Sequence, residues 1–437
     1  MEIASMNNDE KPSNFFTKGL LWFKSLHEKI FTKIVGIAKQ FKTIAKDDPR
    51  RVIHSLKVGL SLTLVSLFYY FQPLYNGFGV STMWAIMTVV VVFEFSVGAT
   101  LGKGLNRGMA TLIAGALGVG AHYLASATGK VVEPILLGLF VFLQVSISGF
   151  RVDEIVDMAH KRISTIFMGA SVCVIVSIVV CPVWAGEDLH KLVAQNMEKL
   201  GKFLEGFGDE IFKSSEDITE SKVTKTSLIE YKSVLNSKNT EETLANFAKW
   251  EPGHGQFKYR HPWKQYLKIG GLIRQCACRI DALNAYINSE IKAPEEIREM
   301  IKETSMKMSI ECGKALKELS KSMRKMNLPI SADEHVTNAK NSAKKLNSLL
   351  KSRINNWEEI NLLQVIPLAT IASILTDIVI CVEEIGQGVN ELASLANFKT
   401  TKSSKEIINT NKVMVVEKIE LSNNNVVITI NEQNMKL

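Results

Sequence analysis

The chain has 437 residues, 46% of them hydrophobic, a mean hydropathy of +0.09 and a formal net charge of +8. That average hides two unlike parts: residues 55–184 are mostly apolar and the rest is Lys-rich and polar, which argues against one soluble domain and predicts a membrane domain followed by a soluble one with its own core. The basic excess comes without zinc-finger spacing or a basic-aromatic RNA motif, so nucleic acid is not expected, and six scattered cysteines without a C-x-x-C pair read as reduced packing residues.

Residues 1–50 form a basic arm. Within it, 15–44 is amphipathic: Leu20, Phe23, Ile30 and Ile34 recur at helical spacing among Lys18, Lys24, Lys29 and Lys33. The stretch predicts a helix lying on the inner leaflet or one packed on the soluble domain. Lysines interrupt each apolar run, so no signal peptide is expected. DDPRR, at 47–51, supplies a helix start and positive charge, which places the N-terminus in the cytosol.

Apolar spans follow. The first covers 56–71, with Tyr69 and Tyr70 at its outer edge and an uncharged turn at 72–77. The second is MWAIMTVVVVFEFSVGATLGKGLNR, residues 83–107. It carries an interfacial Trp84 and a lone acid, Glu94; it is expected to break at Gly98 and Gly102 and to end in Lys103 and Arg107. The third, 105–125, is rich in Gly and Ala and suits the inside of a bundle. A fourth covers 131–150. A fifth, 164–183, follows the charged segment RVDEIVDMAHKR. The membrane domain is thus 51–184, an all-α bundle of about five spans.

The soluble domain, 185–400, is predicted as a second helical bundle. Leu189, Leu192, Val193, Met197, Leu200, Leu204 and Phe207 mark one apolar face. Residues 214–243 read as a short helix plus loop, and Trp250-Glu251-Pro252-Gly253-His254-Gly255 as a turn that Trp250, Trp263 and Tyr266 anchor to the core. Helical patterns resume at 261–291, 294–326, 332–350 and 356–396. The segment 362–382 is apolar enough to be weighed as a sixth span, but Gln364, Pro367 and Asp377 favour a buried core helix. The tail, 401–437, is expected to be loose, with a short strand near 426–430.

Three stretches now carry a resemblance: WAIMTVVVVFEFSVGATLGKGLNRG, SGFRVDEIVDMAHKRISTI and WEPGHGQFKYRHPWKQYLKIGGLIRQCACRIDAL. They resemble the plant aluminium-activated malate transporter family, over nearly the whole chain from DDPRR to about residue 400. The resemblance implies a dimeric anion channel, homomeric or mixed with family members, in the plasma or vacuolar membrane. It implies six membrane helices, a helical cytosolic domain, and passage of malate and other anions. The chain departs from the family pattern at one place. PILLGLFVFLQ runs straight into VSISGFR at Gln144–Val145, where the family has the end of one helix, a turn and most of the next. The ~17–20 residues that remain can cross only once. Either the last span inverts or the fused segment does not cross. A shortened splice form or a gene-model error would produce such a junction. The alternative function is therefore a non-conducting, membrane-anchored form that associates with full-length subunits.

An anion needs fixed positive charge to leave water. The candidates are Lys103, Arg107 and Arg162; the resemblance supports Arg107 and Arg162 as pore-lining, whereas the residues alone equally suit helix ends at the headgroups. Glu94 reads as a gate, as a salt-bridge partner to a pore cation, or as a snorkelling acid. Asp153, Glu154 and Asp157 form an outer acidic cluster, read as helix N-terminal acids or as ligands for a hard cation. The turn at 75–77 offers no carboxylate to complete a site, so aluminium activation is not expected. The histidines lack metal-ligand spacing, and neither a metal nor a cofactor is expected. There is no nucleophile elbow, phosphate loop or HEXXH, so the chain does not read as an enzyme.

Overall fold

A computed structural model describes residues 48–70, 82–127, 155–211, 230–287, 295–354 and 362–399, with Lys33 and Lys46. The expected arm helix (Lys33 apart), the turn at 72–77, the fourth apolar stretch and the tail lie outside the described residues. Among these, all regular structure is helical apart from two isolated bridge pairs, so the protein is all-α. The chain divides into two compact units, Met1–Val183 and Trp184–Leu437.

The first unit contains α1 (Pro49–Tyr70), α2 (Thr82–Val92), α3 (Val97–Ala127) and α4 (Ile155–Val179). Pro49 opens α1, where its missing N–H costs nothing. α4 packs against the other three. A small core of Val65, Ala85, Val89, Val92, Cys173 and Val176 holds α1, α2 and α4 together. Leu56, Leu67, Val90, Leu112, Leu117 and Phe167 face outward, an apolar exterior suited to lipid rather than water. Among the described residues one helix, α4 over Arg162–Val179, is apolar for a full 18-residue window, and α2 is apolar over Met83–Val92.

The break in the second span is not at the glycines. α3 runs unbroken through Gly98 and Gly102, and the interruption falls at Phe93–Ser96. Side-chain capping decides this. Ser96 Oγ accepts the Ala99 N–H at 3.3 Å as an N-cap, and Thr100 Oγ1 accepts the Glu94 N–H at 3.1 Å. A glycine within a helix costs only about 1 kcal/mol, which neighbouring packing offsets. Lys103 and Arg107 therefore sit within the third helix, not at the end of the second.

α3 and α4 are antiparallel. The Val97 N–H donates to the Val183 carbonyl at 3.0 Å, and a Cβ on Gly104 would meet Ala170. The last span is thus not inverted relative to the third. At Gly169 a Cβ would lie 2.7 Å from the Ala85 carbonyl, so this glycine permits the close approach of α2 and α4.

The second unit contains α5 (Ala185–Ile211), α6 (Lys232–Leu235), α7 (Lys238–Ala248), α8 (Trp263–Ile287), α9 (Glu295–Lys325), α10 (Ile330–Ile354) and α11 (Leu362–Leu395). α5 and α9 cross where two glycines face each other. A Cβ on Gly201 would stand 2.9 Å from the Gly313 carbonyl, and one on Gly313 2.8 Å from that of Gly201. Ser309 and Ser320 on α9 donate to the Leu204 and Ala194 carbonyls of α5 at 2.6 and 2.7 Å. α11 sends Ala372, Leu375, Val379, Val382 and Val389 into the core, so from Ala372 onward it is a core helix of this unit.

Beneath the turn at 250–255, His190 Nδ1 lies 2.9 Å and His261 Nε2 3.1 Å from the Tyr266 hydroxyl. Trp263 and Tyr266 are buried, as an anchoring role requires. Trp250 is not: it is 50% exposed, and the expectation that it anchors the turn fails. The anchor is Glu251, whose carboxylate accepts the N–H groups of Ala185 and Gly186 at 2.6 and 3.1 Å and caps α5 across 66 residues of chain. Cys181 and Cys278 are exposed rather than packed.

Candidate functional site

The candidate anion residues are spread along the membrane unit rather than gathered in one pocket. At one end, where α1 starts, α2 gives way to α3 and α4 has ended, Glu94 forms a salt bridge with Lys103. The ring of His54 stacks on Phe95 with centroids 4.0 Å apart. Lys57 is buried at 2% exposure and donates to the Cys181 carbonyl at 2.8 Å, and Cys181 itself is held at a positive φ of 44°. A cation placed this deep is costly without a partner. Here a carbonyl past the end of α4 receives it.

Arg107 lies four residues, about 6 Å, along α3 from Lys103. It is half-buried, and its Nε is shielded from solvent without a hydrogen-bond partner among the described residues. The contact between Gly104 and Ala170 sets the register of the antiparallel pair, so Arg107 is level with about residue 167 of α4. Arg162 then lies about five residues, roughly 8 Å, farther along the bundle. Its guanidinium sits 4.6 Å from the centroid of the Trp84 ring on α2, a cation–π contact. The three cations thus occupy three successive levels.

Asp153 and Glu154 lie outside the described residues, and Asp157 falls within α4 with its side chain undescribed. Among the described residues no cluster of three His, Cys, Asp or Glu side chains is arranged to hold a metal. Sequence patterning did not mark Lys57 as a buried cation. A lysine three residues after His54 in an apolar helix, flanked in sequence by Leu56 and Val58, was the available signal.

The sequence model of the family described as "Aluminium activated malate transporter" matches residues 42–145 and 142–357. Aluminum-activated malate transporter 2 of Arabidopsis thaliana is 53% identical over 402 aligned residues, which cover 85% of this chain and 80% of the relative. Aluminum-activated malate transporter 7 of the same plant is 49% identical, covering 84% of each chain. Aluminum-activated malate transporter 1 of Triticum aestivum is 40% identical, covering 89% of this chain and 92% of its own length. Since 85% of 437 residues is about 371, about 31 of those first 402 aligned positions face no residue of this chain. The match to the family divides at 142–145, which spans the Gln144–Val145 junction.

Proposed function

The chain belongs to the aluminium activated malate transporter family, a family of membrane transporters and not of enzymes, and from that premise we propose that its first unit conducts malate and other anions along a path marked by Lys103, Arg107 and Arg162. The observation that carries this reading is the succession of cations at three depths in an apolar bundle, with the shielded Nε of Arg107 at the middle level. A carboxylate moving inward exchanges water for one fixed charge after another, each about a helical turn or two from the last. Glu94 holds Lys103 by a salt bridge and acts as the pairing or gating acid at one end. Subunits associate as dimers, homomeric or mixed with other family members.

Arg107→Ala tests the path. In oocytes with normal surface expression it should cut malate current at least ~10-fold, the effect of losing about 1.4 kcal/mol of anion stabilisation. An unchanged current–voltage relation would remove Arg107 from the path.

A second reading is favoured by the alignment. About 31 positions of the Arabidopsis relative have no counterpart here, and the family match divides at the fused junction. A chain lacking a helical hairpin at that junction acts as a membrane-anchored subunit that assembles with full-length partners and lowers their current. Co-expression with a full-length relative distinguishes the readings, because suppression of the relative's current supports only the second.

A further inference from the structure

We propose that the loop 249–264 of the soluble unit is a seat for anionic lipid headgroups of the bilayer that holds this chain. The backbone here is firmly set. His254 and Phe257 exchange two hydrogen bonds of 2.9 and 2.8 Å, Gly255 takes a φ of 51°, and Phe257 and Trp263 turn inward. Against that rigid base, Trp250 is 50% and Tyr259 70% exposed. Two large aromatics left in solvent beside two that are buried, Phe257 and Trp263, call for a surface to meet.

Charge says what kind of surface. Lys249, Lys258, Arg260 and Lys264 line one cavity of about 460 Å³. None of the four has an acidic partner among the described residues. The acid in that cavity, Glu251, is committed to the N–H groups of α5. Arg260 is held at a φ of 62°, a strained conformation for a non-glycine residue, with its guanidinium 5.5 Å from the Tyr259 ring centroid. Exposed Trp and Tyr beside Lys and Arg is the composition that the headgroup layer of a membrane selects.

Chain length says where the surface is. The apolar run of α4 ends at Val179, and Trp184 follows five residues later. Five residues span at most about 18 Å. His254 stacks on Trp184 with centroids 3.8 Å apart, and Glu251 holds the next two residues. The loop is therefore tethered within reach of the headgroups. A free anion would fill the cavity without any need for aromatics outside it. The inference rests on α4 being embedded in a bilayer.

The full chain, reconstituted into vesicles of phosphatidylcholine with rising phosphatidylserine and a headgroup spin-label quencher, tests this. The fluorescence difference between wild type and Trp250→Phe isolates Trp250. That signal should be quenched as phosphatidylserine rises, and less so at high salt. Each of Lys258→Gln, Arg260→Gln and Lys264→Gln should raise the half-saturating phosphatidylserine fraction about fivefold. The salt dependence is read on the wild type and needs no variant to fold. A Trp250 signal unquenched at every lipid composition overturns the proposal. So does quenching that is equal in pure phosphatidylcholine, or a thermal stabilisation of the detergent-solubilised protein by inorganic pyrophosphate without any response to phosphatidylserine, which would mark a seat for soluble phosphates.

Discussion

Burial sets the chemistry of single residues in the soluble unit. His190 and His261 both contact the Tyr266 hydroxyl, which has one proton to donate and lone pairs to accept, so one ring serves as acceptor and the other as donor, and both are neutral. Desolvation lowers each histidine from its ordinary value to about 4. The unfolded chain takes up these protons near pH 6.5 and the folded one only near pH 4. Between those limits the unfolded state binds more protons, so stability is complete above about pH 7 and falls as the pH drops through 6.5 toward 4. The slope should approach about 1.4 kcal/mol per pH unit for each histidine. Melting of the detergent-solubilised protein across this range should show the decline, and His261→Gln should reduce the slope by about half. A melting temperature flat from pH 7 to pH 5 would mean these rings are not buried neutral.

At the level of elements, glycines act where two backbones or a side chain need the room, and not where the sequence alone would put a break. Gly270 on α8 shows the first case. A Cβ there would stand 2.1 Å from Glu241 Oε2. Glu241 is 1% exposed on α7, is ion-paired with Arg274, and accepts the Ser237 hydroxyl at 2.7 Å. Gly→Ala in a helix normally gains about 1 kcal/mol. Displacing a buried, paired carboxylate costs about 3–5 kcal/mol. Gly270→Ala should therefore destabilise by about 2–4 kcal/mol, read as a lower melting temperature, and stabilisation would show that Glu241 swings aside freely. Trp263→Ala should cost about 3–5 kcal/mol on the same measurement, because its ring fills the space over Gly186, where a Cβ would lie 2.4 Å away.

For the whole molecule, the decisive relation is that α3 and α4 are antiparallel. Ala127, where α3 ends, and Ile155, where α4 begins, then lie at the same end of the unit. One crossing cannot join two points on the same side of a membrane; a hairpin can. On the second reading of its function, the 437-residue chain carries little malate current. Restoring a helical hairpin at the Gln144–Val145 junction should give a channel, since about 20 residues are needed per crossing. Glycosylation tags in 151–160 and after residue 400 should report opposite sides of the membrane if α4 crosses. Robust current from the chain as it stands, with a cytosolic C-terminus, would show that the missing segment is dispensable.

Periodicity and composition were enough to place most elements, because burial of an apolar stripe or a full apolar run is what makes those segments helical. The expected helices at 261–291 and 294–326 correspond to Trp263–Ile287 and Glu295–Lys325, and Leu189, Met197, Leu200 and Phe207 do face the core. The family too was legible from the sequence, through three long motifs. Other features depend on partners distant in sequence, and periodicity carries no record of those. The helix break moved to Phe93–Ser96 because Ser96 and Thr100 supply caps there. Trp250 is exposed because Glu251, and not the tryptophan, holds the turn to α5. Lys57 is buried because the Cys181 carbonyl, 124 residues away, accepts a hydrogen bond from its ammonium. Hydrophobic pattern is local and can be read along a chain; the pairing of a buried charge is a contact in space, and only the tertiary structure decides it.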